Sequence, residues 1–345
     1  MKKTLDLRSD TVTQPTATMR EAMARAEVGD DVLNEDPTLH RLQELAARKM
    51  GKEEALFVPS GTMGNLVSIL THCGRGDEVI LGDQSHIFLN EVGGLSALGG
   101  VHPRIISNND DGTLPLDILE NAIREKELHH PTTRLICLEN SHNYCHGSPI
   151  TSSYMKSVAE IAARHSLIIH LDGARIFNAA VALSEEASEL ARYADSVMFC
   201  LSKGLSAPVG SLICGKKEFI SKARKYRKMV GGGMRQAGHL AAAGIVALDE
   251  MVDRIREDHF NARDLAEGLA TIPGVHLEPE KVKTNIIFFK LLHPKVTGER
   301  FLTDLDSMGI KLLLIEPGIF RAVLHREISK DDVEAVLKII QALLD

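Results

Sequence analysis

The chain has 345 residues, 44% of them hydrophobic and 25% charged, with a formal net charge of -7. That composition excludes disordered, collagen-like and disulfide-scaffold classes, and the acidic balance gives no general attraction to a nucleic-acid backbone. Five cysteines, an odd number with no CxxC pair, suit a reducing compartment, and no apolar run reaches the roughly 18 residues that cross a bilayer. A cytoplasmic protein with no membrane or nucleic-acid partner is expected.

Taken in chain order, the first clear strand is ALFVP (55–59), followed at once by Ser60-Gly61-Thr62-Met63-Gly64-Asn65 and the helical NLVSILTHC. Exposed N–H groups and the helix dipole at such a start suit a phosphate, although Ser60 as a plain N-cap explains the same residues. EVILG is the next strand, with His86 just beyond it in GDQSHIFLNEVGG. His86 could stack on a ring, or merely bond locally.

PRIIS, RLICLEN, LIIHLD, SVMFC and SLICG complete a run of strands separated by helical stretches over residues 50–230. This alternation predicts a largely parallel sheet with helices on both faces, where ligands bind beyond the carboxyl ends of the strands. Two further groups stand at such ends, Asp172 with Arg175 in HLDGAR and Lys203 in LSKG. A carboxylate there needs a positive partner, either Arg175 or a protonated ring on a ligand.

The basic KARKYRK (222–228) reads as a solvated helix face or as a neighbour of a phosphorylated ligand. GGGMRQAG (231–238) follows that helix and not a strand, so it is no dinucleotide fingerprint, and no GxxxxGK[ST] occurs. From Met234 to Ala270 the pattern predicts one long helix, stopped by Pro273 and Gly274. NIIFFKL, ERFLTDLDSMG, KLLLIE, RAVLH and DDVEAVLKIIQALL then suggest a small α/β domain. The expected division is an N-terminal arm with helices (1–45), a large domain (46–250) and a small one (251–345). His142, Cys145 and His146 in SHNYCHG lack a second cluster, so no metal site is expected.

A lysine, an aspartate and a phosphate-ready helix start, all at strand ends, are what pyridoxal 5'-phosphate requires. The lysine forms a Schiff base, the carboxylate keeps the ring nitrogen protonated, and the helix start takes the phosphate. With LDLRSDTVTQPT, VGDDV, EDPT, LFVPSGTMGNL, SHIF, LENSHN, HLDGARIFNAA, LSKGLSAPVGS, RKMVGGGMRQAG and RAVLH, the whole chain resembles the low-specificity L-threonine aldolases of the β-eliminating lyase group.

The resemblance implies an aspartate-aminotransferase-like fold and cleavage of L-threonine and L-allo-threonine to glycine and acetaldehyde. It implies Lys203 as the Schiff-base lysine, Asp172 as the ring-nitrogen partner and His86 as the stacking residue. Ser60, Gly61 and Thr62 would hold the phosphate, with Arg235 reaching it from a neighbouring subunit, which implies a homo-oligomer, a dimer of dimers, with shared sites. Ser9, Arg175 and Arg321 would bind the substrate carboxylate, and His129 would lie near its hydroxyl. The catalytic base is left open among His86, His129 and water. Leu33-Asn34 stand where the family usually has tyrosine and glycine, and Asn90 where an aromatic residue is common. Another pyridoxal-phosphate lyase, a racemase, an aminotransferase or a non-catalytic homologue would fit the same core residues.

Overall fold

The computed structural model describes residues 3–345. Its large sheet is built from β2 (Glu54–Val58), β3 (Glu78–Gly82), β4 (His102–Ile106), β5 (Thr133–Glu139), β6 (Ile168–Asp172), β7 (Ser196–Cys200) and β8 (Ser211–Gly215). All seven coincide with the apolar runs read from the sequence. The two-residue period of a strand sends alternate side chains to opposite faces. Ile136 and Leu138 of β5 accordingly join one core with Phe57, Leu171 and Phe199, while Leu135 and Cys137 join another with Val79 and Leu81. Burial on both faces is why the strands read as continuous apolar runs.

The order across the sheet is β2-β8-β7-β6-β5-β3-β4. The pairs from β7 to β4 are parallel, but β8 runs antiparallel to both β7 and β2, so the expected largely parallel sheet has one reversed strand. Only residues 201–210 join β7 to β8, and a parallel return needs a crossover of about a dozen residues or more.

The single long helix expected from Met234 is two helices, Gly238–Glu250 and Ile255–Ala270. No glycine or proline breaks it. The first helix packs with Ala17–Ala24 and Pro37–Met50 on the large core, whereas Leu265, Ala266 and Leu269 of the second belong to another core. Turn hydrogen bonds from Ile255 N to Val252 O and from Arg256 N to Asp253 O redirect the chain between them.

That other core lies under an antiparallel sheet of order β12-β13-β10-β9, from β9 (Val275–His276), β10 (Ile286–Leu291), β12 (Leu313–Glu316) and β13 (Ile319–Val323). The N-terminal arm joins it: β1 (Leu5–Asp6) pairs in parallel with β11 (Ile310–Lys311), and Leu5 and Leu7 are buried with Phe301 and Phe320. Among the described residues no helix is long and apolar enough to cross a membrane.

Candidate active site

The carboxyl ends of β2, β3, β5, β6 and β7 deliver Ser60, His86, Glu139, Asp172 and Lys203 to one edge of the large sheet. β13 brings Arg321 and the N-terminal arm brings Asp10. Two hydrogen-bonded groups result.

In the first, Arg175 grips Asp10 through both Nε (2.8 Å) and Nη2 (2.7 Å), with both side chains buried. The expected Asp172–Arg175 pair does not form. Asp10 is 165 residues from Arg175 in sequence and offers a fork-to-fork geometry, whereas Asp172 is held elsewhere. Burial pushes the Asp10 carboxyl up, but Arg175, Lys203 and Arg321 outweigh it and hold it well below the usual carboxylate range. Arg321 and Arg175 share Asn143 Oδ1, at 2.8 and 3.2 Å. Burial and the neighbouring Arg175 charge bring Arg321 down to about 10, and its buried Nε has no partner. These two guanidiniums have one carboxylate between them, so a second anion fits.

In the second group, Asp172 is 1% exposed and accepts from Asn65 Nδ2 (2.8 Å) and Ala174 N (3.0 Å). Among the described residues no lysine or arginine forms an ion pair with it, and a buried carboxylate of this kind calls for a cation. His86 Nδ1 meets Glu91 Oε1 at 2.9 Å, and Asn65 Nδ2 reaches the same oxygen at 2.8 Å. Burial raises the Glu91 carboxyl; burial alone would lower His86, but the bond to Glu91 and the charges of Asp172, Glu91 and Glu139 raise it. Glu139 ties the groups together, taking His86 N at 2.7 Å and Asn143 N at 2.8 Å.

Lys203 is half-buried, and among the described residues it has no carboxylate partner within ion-pair distance. Its carbonyl accepts from Thr13 Oγ1 at 2.9 Å and from Ser206 N at 2.8 Å. The loop returns to β8 through Gly210 at φ +110°, where a Cβ would fall 2.3 Å from Phe57 Cε2. Glycine is required there on both counts.

Ser60 caps the helix Gly61–His72 by accepting from Met63 N at 3.1 Å, which leaves the N–H groups of Gly61 and Thr62 outside the helix ladder. A Cβ on Gly61 would sit 3.0 Å from Cys200 Sγ, so the helix start is packed onto the end of β7. Ser9 is half-buried and its Oγ accepts from Thr11 N and Oγ1.

Two expected residues are not brought to this cleft by their own chain. His129 precedes β5, at the amino end of the sheet, with a side chain 82% exposed. Arg235 is exposed and bonds Asp30 Oδ2 at 2.9 Å. The basic run 222–228 is no simple solvated face either, because Arg227 is buried against Asp31 Oδ2 (2.6 Å) and Phe57 O. His86, Glu91 and Asp172 offer ligand atoms within 4.8 Å of one another, but Asn65 and the His86–Glu91 bond occupy them. His142 and Cys145 are buried, with His142 Nδ1 turned to its own loop's Cys145 N.

Residues 6–291 match the family model described as beta-eliminating lyase. The chain belongs to the beta-eliminating lyase family. Within that family it is 51% identical to a probable low-specificity L-threonine aldolase 2 of Arabidopsis thaliana, over 99% of this chain and 97% of the relative. It is 44% identical to a low specificity L-threonine aldolase of Escherichia coli strain K12, over 96% of this chain and 97% of the relative. A Leishmania major threonine aldolase structure superposes with TM-score 0.82 at 18% identity, covering 99% of this chain and all of the other, a likeness of fold.

Asp10, Asn65, Glu91, Glu139 and Asn143 escaped the sequence reading. Glu139 ends the strand RLICLEN as Asp172 ends LIIHLD, so the same strand-end rule singles it out.

Proposed function

We propose that this beta-eliminating lyase is a low-specificity L-threonine aldolase that splits L-threonine and L-allo-threonine into glycine and acetaldehyde with pyridoxal 5'-phosphate as cofactor. One observation carries the reading: among the described residues, Lys203 and the buried Asp172 at the strand ends of the large sheet belong to no ion pair, and the buried Arg321 beside Arg175 has an unpartnered Nε. Lys203 fits the cofactor aldehyde, Asp172 its ring nitrogen, His86 its ring face, and Ser60, Gly61 and Thr62 its phosphate. When bound, the cofactor supplies an electron sink for the pair released as the Cα–Cβ bond breaks.

The chain's own groups do the rest. Arg321 binds the substrate carboxylate, helped by the Nη1 of Arg175 and by Ser9, while Asp10 keeps Arg175 in place. His86 is anchored through Nδ1 by Glu91, so its Nε2 is the atom left to take the β-hydroxyl proton. Arg235 and His129 lie away from this chain's cleft, so their roles require neighbouring subunits, and we assign the protein to a homo-oligomer, a dimer of dimers, with shared sites. Five free cysteines, all buried, support a cytoplasmic setting.

Incubation of cofactor-loaded protein with L-threonine, with acetaldehyde read by an NADH-dependent dehydrogenase, tests the reading. Stoichiometric acetaldehyde and glycine are expected. Turnover only with a keto-acid acceptor, or no aldehyde at all, overturns it.

A further inference from the structure

Asn65 and His72 lie seven residues apart on the inner side of the helix Gly61–His72, so they share a face about 10 Å apart along its axis. Beneath that face, His170 of β6 and Ser196 of β7 are register partners. The four side chains form one continuous series of hydrogen-bonded contacts, and the carboxylates at the Asn65 end bear on its direction.

The Asn65 amide nitrogen has two hydrogens, and its two partners are carboxylates, Asp172 Oδ2 and Glu91 Oε1, both at 2.8 Å. Turned over, the amide would set its oxygen against both carboxylates. Asn65 Oδ1 must therefore accept, and its partner is His170 Nε2 at 3.1 Å, which places the His170 proton on Nε2. A neutral His170 then has a bare Nδ1, which takes the Ser196 hydroxyl hydrogen at 2.8 Å. Having given that hydrogen, Ser196 Oγ accepts from His72 Nε2 at 2.8 Å. Burial lowers both histidines to about 3, outweighing at His170 the Ser196 backbone contact that raises it, which agrees with neutral rings. Asn65, His170 and Ser196 are fully buried, so no water substitutes for these partners.

We infer that His72, Ser196, His170 and Asn65 are positioning residues, a one-way array of donors that holds Asp172 as an anion for the ring nitrogen of the cofactor. The inference rests on the pyridoxal-phosphate reading of the site. A buried carboxylate beside a second one ordinarily takes up a proton. Here Asn65 stands between Asp172 and Glu91 and donates to each, and His86 supplies Glu91 with a further donor, so the proton of this cluster stays with the His86–Glu91 pair. Each bond behind Asn65 polarises the next toward Asp172. A series that merely satisfied buried groups would need no common direction.

Long-range 1H–15N spectra of cofactor-free protein labelled in histidine test the direction. His72 and His170 are both expected as neutral rings protonated at Nε2, and a proton on Nδ1 of either overturns the array. Asn65→Leu, of similar size, removes both donors to the carboxylates. Loaded with ring-15N pyridoxal phosphate, the native chain should hold a protonated ring nitrogen and Asn65→Leu one shifted toward neutral. Turnover should fall about ten- to hundredfold, the factor carried by one hydrogen bond to a charged group. An unshifted ring nitrogen in folded Asn65→Leu overturns the proposal. Should that variant not fold, Ser196→Ala serves: His170 should become a mixture of tautomers, and a single Nε2–H form refutes the array. If the native chain takes up no pyridoxal phosphate, the cofactor reading fails, and the histidine tautomers report on the array separately.

Discussion

Replacing Asp10 with asparagine should strike the cleft at its most heavily charged point. The native carboxylate makes two bonds to Arg175, at 2.8 and 2.7 Å, with side-chain exposures of 0% and 5%. Removing one charge of a buried pair typically costs about 3–5 kcal/mol, because the other charge stays buried without compensation. Asparagine keeps one acceptor, so the loss should fall near the lower end, about 3 kcal/mol. Arg321 adds to it, since Arg175 already repels it and Asp10 relieves it. Urea denaturation of the wild type and Asp10→Asn at pH 7 measures the difference. An added carboxylate that binds the cleft should recover more stability in the variant than in the wild type. A difference below about 1 kcal/mol, the range of an exposed ion pair, would refute the reasoning.

Three other outcomes are expected. His72 and His170 are lowered to about 3 and His259 to about 4, all chiefly by burial, so the unfolded chain binds more protons between those values and about 6.5. The contribution of these histidines to stability should therefore fall as pH drops below about 6.5, by ~1.4 kcal/mol per pH unit for each proton the unfolded chain takes up. It is opposed by the Asp258 carboxyl, which burial raises to about 7 and which takes its proton first in the folded chain. His259→Gln should change the slope of the urea-derived stability by about one proton, and an unchanged slope contradicts this. Gly210→Ala should cost about 3 kcal/mol in the same assay, from a left-handed φ and a clash with the Phe57 ring, and should weaken cofactor binding by moving the Lys203 loop; cofactor affinity equal to wild type would separate that loop from Gly210. Mixing Arg235→Ala chains with Lys203→Ala chains should restore some aldolase activity through hybrid sites, and mixed oligomers that stay inactive would rule out sharing of Arg235.

Strand positions were legible because each strand is a short apolar run buried on both faces. The direction of β8 was not, since side-chain periodicity is the same for either direction; only the ten residues between Cys200 and Ser211 carry that information. The break at 251–254 left no mark because Met251, Val252, Asp253 and Arg254 are all compatible with a helix, and what turns the chain there is burial in two different cores. Lys203, Asp172 and Ser60 were legible from strand ends. Asp10 and Asn65 were not, because their partners Arg175 and Asp172 lie 165 and 107 residues away. The position of His129 just ahead of β5 already told against this chain's own cleft.

The N-terminal arm ties the cleft to an order of events during synthesis. Leu5 pairs with Ile310, Leu7 O accepts from Val323 N, and between these anchors and the large sheet sit Asp10 on Arg175 and Thr13 on the Lys203 loop. Leu5 emerges from the ribosome long before Ile310, so the arm has no strand to join while the large sheet is being made. Contacts between such distant segments form late, after the loop-closure entropy has been met. A nascent chain halted short of Ile310 would carry Lys203, Asp172 and the helix start but leave Arg175 without its fixed partner. Arg321, still unmade, would be missing as well. An incomplete chain therefore lacks both the Asp10–Arg175 pair in its final setting and Arg321, and the two guanidiniums come together only after β11 and β13 have been made.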